Sequence, residues 1–312
     1  MKKIVLLALI IASFFSCQRN IKNEKDNVIA EHIDFDIPKI NANKVVNDKA
    51  DLLGYWVGEF DVNEKAADTS YKYDDDYSKK ITFSIDKIEG TKIIGHSVVG
   101  GNIEKFEGKL INYTDDFEIH VKEPNSKTSN GKFVLNIAKN DSILKGDWVP
   151  YTKSNKVLQR KLSLKKKFFV YNPKNKIMFN YFDSEKFNVI KDTFYEEDSL
   201  GNTISSEAYE DQAYFTTTDT IFHLNPSTEL FNKELVENLS KGDIFILRNL
   251  IFARHGFSFR DKMLRRYFDN IDWYMPVFSD VTKELTDIEK KNIDLLLRYE
   301  ENAKEYYDVF GR

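Results

Sequence analysis

From Asp51 to about Lys165 the chain alternates apolar and polar residues in short segments: LLGYWVGEF, KITFSIDKI, TKIIGHSVV, IEKFEGKLIN, FEIHVKE, GKFVLNIA, SILKGDW and KVLQRKLSL. Period-two alternation puts every second side chain on one face, so each segment reads as a strand with one face buried. Turn signals separate them, among them Glu89-Gly90, Gly100-Gly101, Thr114-Asp115-Asp116, Asn130-Gly131 and Asn140-Asp141. Eight strands joined by tight turns predict an antiparallel up-and-down meander, and closing it into a barrel removes the exposed edges. Trp56, Phe83, Ile85, Ile94, Phe106, Phe133 and Leu135 are the inward candidates; they either fill the barrel or line a cavity in it.

Residues 166–227 interrupt the alternation. FFVYNPKNKIMFNYFD and QAYFTTTDTIFHLNP read as extended, and EEDSLGNTISSEAYED between them as a polar loop, so the stretch is a connector or an extra hairpin. Beyond Ser227 the period becomes helical, with Leu230, Phe231, Leu235 and Leu239 spaced for one face. Asp243 can cap a helix running to about His255, with Gly256 at the left-handed position that ends it. DKMLRRYF is a short third helix. Thr286 and Glu289 form a capping box for a last helix of about five turns lined by Ile288, Ile293, Leu296, Leu297 and Tyr299. The expected fold class is α+β: an antiparallel β-barrel-like domain over residues 51–165, then a small all-helical domain over residues 228–305.

The N-terminus changes the picture of where this chain works. Lys2 and Lys3 precede an apolar run from Ile4 to Phe15, too short to span a bilayer and laid out as an export signal over residues 1–16. Cys17, the only cysteine, follows Ser16 directly. This arrangement resembles the bacterial lipoprotein lipobox, with Phe14 where that family usually has Leu, and the resemblance implies an acylated Cys17 anchored to the cell envelope. Gln18 stands where Asp would resemble an inner-membrane retention signal, which favours the outer membrane. Residues 17–50 are polar and aperiodic and read as a flexible tether. No second cysteine exists to form a disulfide, so packing alone must hold both domains. Net charge is -4 with both signs mixed, and no basic stripe argues for nucleic acid.

Candidate chemistry is sparse. Gly54-Tyr55-Trp56-Val57-Gly58 resembles the Gly-x-Trp opening of lipocalin-like barrels, which makes Gly54, Trp56 and Gly58 the residues expected to close one barrel end. Arg254-His255-Gly256 resembles the tripeptide of histidine phosphatases, but only 56 residues follow Gly256 and none is a histidine. A closer resemblance is carried by Arg248-Asn249, Ile251 to Gly256, Phe259, Leu264, Tyr267-Phe268, Trp273-Tyr274, Pro276 and Ile288 to Ile293. Together they are similar to the YARHG domain of bacterial extracytoplasmic proteins. Phe252 takes the place of the tyrosine that opens the motif Phe252, Ala253, Arg254, His255, Gly256. The resemblance implies an extracellular setting and brings no established activity.

Two readings of Arg254 and His255 stay open. Either they satisfy a helix C-terminus, with Trp273, Tyr274 and Glu289 as partners, or they face a carboxylate or sugar ligand with Trp273 and Tyr274 as platforms. The five histidines, His32, His96, His120, His223 and His255, show no metal-ligand spacing, although His96 and His120 could meet inside a barrel. Asp74-Asp75-Asp76 lacks the glycine and distal glutamate of a calcium loop. Neither a nucleophile elbow nor a phosphate-cradling loop is present, and no catalytic residue, metal or cofactor is indicated. The sequence therefore points to a lipid-anchored, non-enzymatic envelope protein that binds an envelope component or a partner protein. A barrel that carries an apolar molecule and an envelope hydrolase without a recognisable motif are the alternatives.

Overall fold

The computed structural model describes residues 45–65, 79–152 and 157–303. They all belong to the unit Asp34–Arg312; the unit Met1–Ile33, with Cys17 and His32, lies outside the described residues, as does Asp74-Asp75-Asp76. Alternation becomes eight strands: β1 (Gly54–Lys65), β2 (Lys79–Glu89), β3 (Lys92–Val99), β4 (Asn102–Asn112), β5 (Asp116–Lys122), β6 (Gly131–Ala138), β7 (Ile143–Pro150) and β8 (Val157–Lys167). Each pairs antiparallel with the next, and β8 pairs with β1 to close the barrel.

Trp56 pairs across β1 with Phe83 and Lys166, so its side chain points inward, where it is fully buried. Its indole Nε1 donates to the Leu52 carbonyl at 2.8 Å. That carbonyl belongs to a 3-10 turn, Lys49–Leu52, capped by Asp48. Lys49 donates to Gly90 O in the β2–β3 turn, while Val46 exchanges backbone bonds with Asn140 and Asp141 in the β6–β7 turn. The turn thus lies across one barrel end, and residues 45–50, assigned above to the tether, belong to the fold. Gly58 is required where β1 meets β8: a Cβ there would sit 2.1 Å from Ser163 O.

The interior is packed with rings. Phe83 stacks on Phe106 with centroids 4.3 Å apart, Phe133 meets Phe83 edge-on at 5.3 Å, and Trp148 meets Phe60 at 5.6 Å. On β3, however, Ile93 and not Ile94 faces inward. Ile93 pairs with Gly108 and joins the core, whereas Ile94 opposes Glu107 on the outer face. A bulge at Asp86 shifts the parity of β2, and the Phe106 ring fills the space over Gly95. His96 and His120 do not meet. Both point outward, His96 toward Asp86 at 2.8 Å and His120 toward Glu118 on the exposed surface.

Residues 166–227 contain a hairpin, β9 (Phe182–Glu197) with β10 (Thr203–Thr216). The segment read as a polar loop is mostly strand, because a ribbon exposed on both faces shows no alternation; only Asp198 to Asn202 turns. Helices follow as α1 (Lys233–Val236), α2 (Lys241–Arg254), α3 (Lys262–Asp269) and α4 (Asp287–Glu300). The first is far shorter than its spacing predicts because the buried Asn292 side chain captures the preceding backbone. It accepts from Phe231 N at 2.9 Å and donates to Pro226 O and Glu229 O, each at 2.7 Å. Ser240 caps α2, and Asp243 is the reciprocal carboxylate of the capping box instead of the cap itself. On α4 the buried face is Glu289, Asn292, Ile293 and Leu296, while Ile288 and Leu297 are exposed.

The helical part docks on the outer face of β1 and β2. Tyr55 and Val57 pack with Met275 and Val277. Lys80 on β2 donates its ammonium to Ile271 O at 2.8 Å and Tyr274 O at 3.1 Å, and burial pulls its pKa down to about 8. Ser258 Oγ accepts from Gly101 N in the β3–β4 turn. Among the described residues no helix is long and apolar enough to cross a membrane.

Candidate functional site

The sequence Phe252-Ala253-Arg254-His255-Gly256 is the C-terminus of α2 turning back on itself. Gly256 has φ of 75°, Phe257 N donates to Phe252 O, and Gly256 N donates to Ala253 O. This pair of bonds is a Schellman motif, and the Phe252 and Phe257 rings, 6.0 Å apart, supply its apolar contact. A Cβ on Gly256 would lie 2.6 Å from the Phe169 ring, so glycine is demanded by conformation and by space. The Gly256 carbonyl then receives Val277 N and Phe278 N, which fastens the helix end to the segment packed on the barrel.

Arg254 is buried, and acceptors from two loops take up its guanidinium. Nε and Nη2 donate to Asn175 O at 3.0 and 2.6 Å; Nη1 donates to Asn225 Oδ1 at 2.7 Å and Ser227 Oγ at 3.0 Å. Burial lowers its pKa to about 10, leaving it charged at neutral pH. The planar fork matches this cage, which a lysine ammonium would not. Glu289, expected as a carboxylate partner, acts on Arg254 through its charge while its hydrogen bond goes to the neighbouring His255.

His255 Nε2 lies 2.8 Å from Glu289 Oε2, and its ring stacks on Tyr171 at 4.2 Å. Tyr171 OH donates to Glu289 Oε1 at 3.0 Å, and Thr286 N donates to Glu289 Oε2 at 2.9 Å. Burial by itself would raise the Glu289 carboxyl. Hydrogen bonds from His255, the Thr286 amide and Ser227 outweigh it and hold the group down to about 2. Burial and the adjacent Glu289 push the Tyr171 phenol up to about 12. Ser227 thus joins the Arg254 cage to the His255–Glu289 pair.

Two cavities border this network, and Arg254 contributes to both. The larger, about 390 Å³, is lined by Lys167, Phe169, Asn172, Asn175, Asp272 and Trp273 together with Ala253 and Arg254. A smaller one, about 160 Å³, has Ile177, Phe222, His223 and Leu250 in its wall. Of the four residues expected to face a ligand, Arg254 and Trp273 reach the larger cavity. His255 and Tyr274 do not: His255 is spent on Glu289 and Tyr171, and Tyr274 is a core residue whose OH donates to Phe257 O at 2.7 Å. Trp273 is half-buried, with its Nε1 donating to Lys176 O, and contributes to the lining of the larger cavity.

Tyr171, Asn175, Asn225 and Ser227 were not legible as site residues. They come from loops far from the motif in the chain, and nothing in NPKNK or LNPS marks a partner for an arginine. Among the described residues no three His, Cys, Asp or Glu side chains converge as a metal site requires. Two other buried carboxylates, Glu123 and Asp243, have pKa values raised by desolvation, yet both are already bonded within the fold. Glu123 accepts from Ser97 Oγ and Gly131 N, and Asp243 from Thr218 N and Ser240 N.

Residues 220–301 match the YARHG domain, so the chain carries that domain there. The match includes Asn225, Ser227, Arg254, His255 and Glu289 but not Tyr171 or Asn175, which complete the network from the segment between barrel and domain. No curated protein and no solved structure matches the chain.

Proposed function

We propose that this is an extracytoplasmic binding protein, anchored through an acylated Cys17 to the bacterial envelope at the outer membrane, which holds a carbohydrate of the envelope in the larger cavity, between its YARHG domain and the segment that precedes it. The lining of that cavity carries the reading. An indole face at Trp273 and a phenyl ring at Phe169 offer platforms for sugar C–H faces. Asn172, Asn175, Asp272 and Lys167 surround them with donors and acceptors for hydroxyls. Its volume falls within the range of about 300–1,000 Å³ usual for small-ligand sites. Arg254 acts as a positioning residue here, since its cage fixes Asn175 at the rim.

The buried carboxylates Glu123, Asp243 and Glu289 are each held by donors of the fold, which suits a structural part for them beside a binding cavity. In this reading the barrel, with Gly54 and Trp56 at a lipocalin-like closed end and Gly58 at the close approach of β1 to β8, is a scaffold, its interior filled by rings and not kept open for an apolar cargo. The residues before 45 then serve as a spacer between lipid and fold.

Titration of soluble peptidoglycan fragments and surface oligosaccharides against the full chain, followed by isothermal titration calorimetry, tests the ligand. A saturable change is expected in the wild type and its loss in Trp273→Ala; a wild type that binds none of them overturns the carbohydrate assignment. Labelling with a fatty-acid precursor tests the anchor, and persistence of label in Cys17→Ala would refute it.

A further inference from the structure

We propose that the distal half of the β9–β10 hairpin is a docking arm for a partner protein with a basic, Lys/Arg-rich face. Only the base of the ribbon is fastened: Phe215 and Tyr181 enter the helical core, and Glu185 pairs with Lys262 and Arg266. No residue from 184 to 212 is buried. At ~3.4 Å per residue, the run from Val189 to Glu197 projects about 30 Å. A bare two-stranded ribbon is marginal in water and exposes two strand edges, so an arm of this length is costly unless something covers it.

Its side chains state what would cover it. Between Asp192 and Asp211 there are seven carboxylates and no Lys or Arg. Interleaved with them are exposed apolar groups: Phe194 is 64 % accessible, Tyr195 59 % and Leu200 84 %. Phe194 opposes Glu207 on one face, which so combines an aromatic anchor with negative charge, while Tyr195 opposes Ser206 on the other, where Glu210 is paired with Lys191 at 2.7 Å. The tip is preorganised: the Asp198 carboxylate accepts from Leu200 N at 2.8 Å and Asn202 N at 2.9 Å, and Gly201 takes φ of 81°. A second copy would bring like charges together, and an anionic lipid surface would repel the same ribbon. A cationic protein face with apolar slots is the complementary surface.

The test is photo-crosslinking from benzoylphenylalanine placed at Tyr195 or Leu200 of the full-length, membrane-attached protein in its own cells, with the crosslinked peptide identified by mass spectrometry. Expected is a discrete protein adduct at a net-basic peptide, with yield falling about tenfold in the exposed charge reversal Glu196→Lys/Glu197→Lys, whose fold is checked by circular dichroism. Adducts only to a second copy or only to lipid, adducts to a neutral or acidic peptide, insensitivity to charge reversal, or no adduct at either position would each overturn the proposal. A failure of carbohydrate binding at Trp273 leaves this result untouched, since the two surfaces share no residue.

Discussion

His255 and Glu289 are joined by a 2.8 Å contact in which the imidazole is 5 % and the carboxylate 0 % accessible. The pair links the C-terminus of α2 to the N-terminus of α4, and Glu289 also closes the α4 capping box. One carboxylate therefore serves a histidine, a tyrosine and a helix cap, and the consequences of changing it are correspondingly large.

Glu289→Gln should lower stability by about 3 kcal/mol, the value of a carboxyl pKa held near 2 against an unfolded value of about 4.3. The folded pKa lies below the unfolded one, so this stabilisation is complete above about pH 4.3 and is lost as pH falls toward 2. Chemical denaturation across that window should show the wild type losing stability steeply and the variant lacking this component.

Gly256→Ala combines a residue forced to φ of 75° with a Cβ 2.6 Å from Phe169. Strain at such a position costs about 1–3 kcal/mol, and the displaced ring adds to it. A lower urea midpoint is expected, accompanied by weakened ligand binding because Phe169 lines the larger cavity.

Arg254→Lys keeps the charge and loses the fork. A lysine cannot bridge Asn175 O to Asn225 and Ser227 at once, so two or more buried acceptors are left unpaired, at about 1–3 kcal/mol each. Its melting temperature should fall well below the wild type's.

Thr82→Val should do the opposite. The Thr82 hydroxyl sits at 0 % accessibility on β2 with no hydrogen-bond partner among the described residues, so a side chain of the same shape without it should stabilise by about 1 kcal/mol. Calorimetry would register a rise in melting temperature; a fall would mean that the hydroxyl is bonded in solution.

Legibility followed the range of the interactions. The eight strands and the capping box at Thr286 and Glu289 rest on neighbours within a few residues, and the chain displays them directly. The long hairpin was hidden because neither of its faces is buried, so nothing imposed alternation on it. α1 was over-read because Asn292, 61 residues beyond Phe231, takes the backbone bonds that a longer helix would have used.

The sequence by itself determined the barrel strands, the turn at Gly256 and the presence of the ARHG motif, since strand periodicity and glycine's access to positive φ are local properties. Tertiary structure alone decided what the motif does. The acceptors of Arg254 lie 79 and 29 residues away in the chain, and the partner of His255 lies 34 away. No local preference encodes those distances. Burial makes the pairings obligatory, because a guanidinium or carboxylate removed from water must find its hydrogen bonds inside the protein.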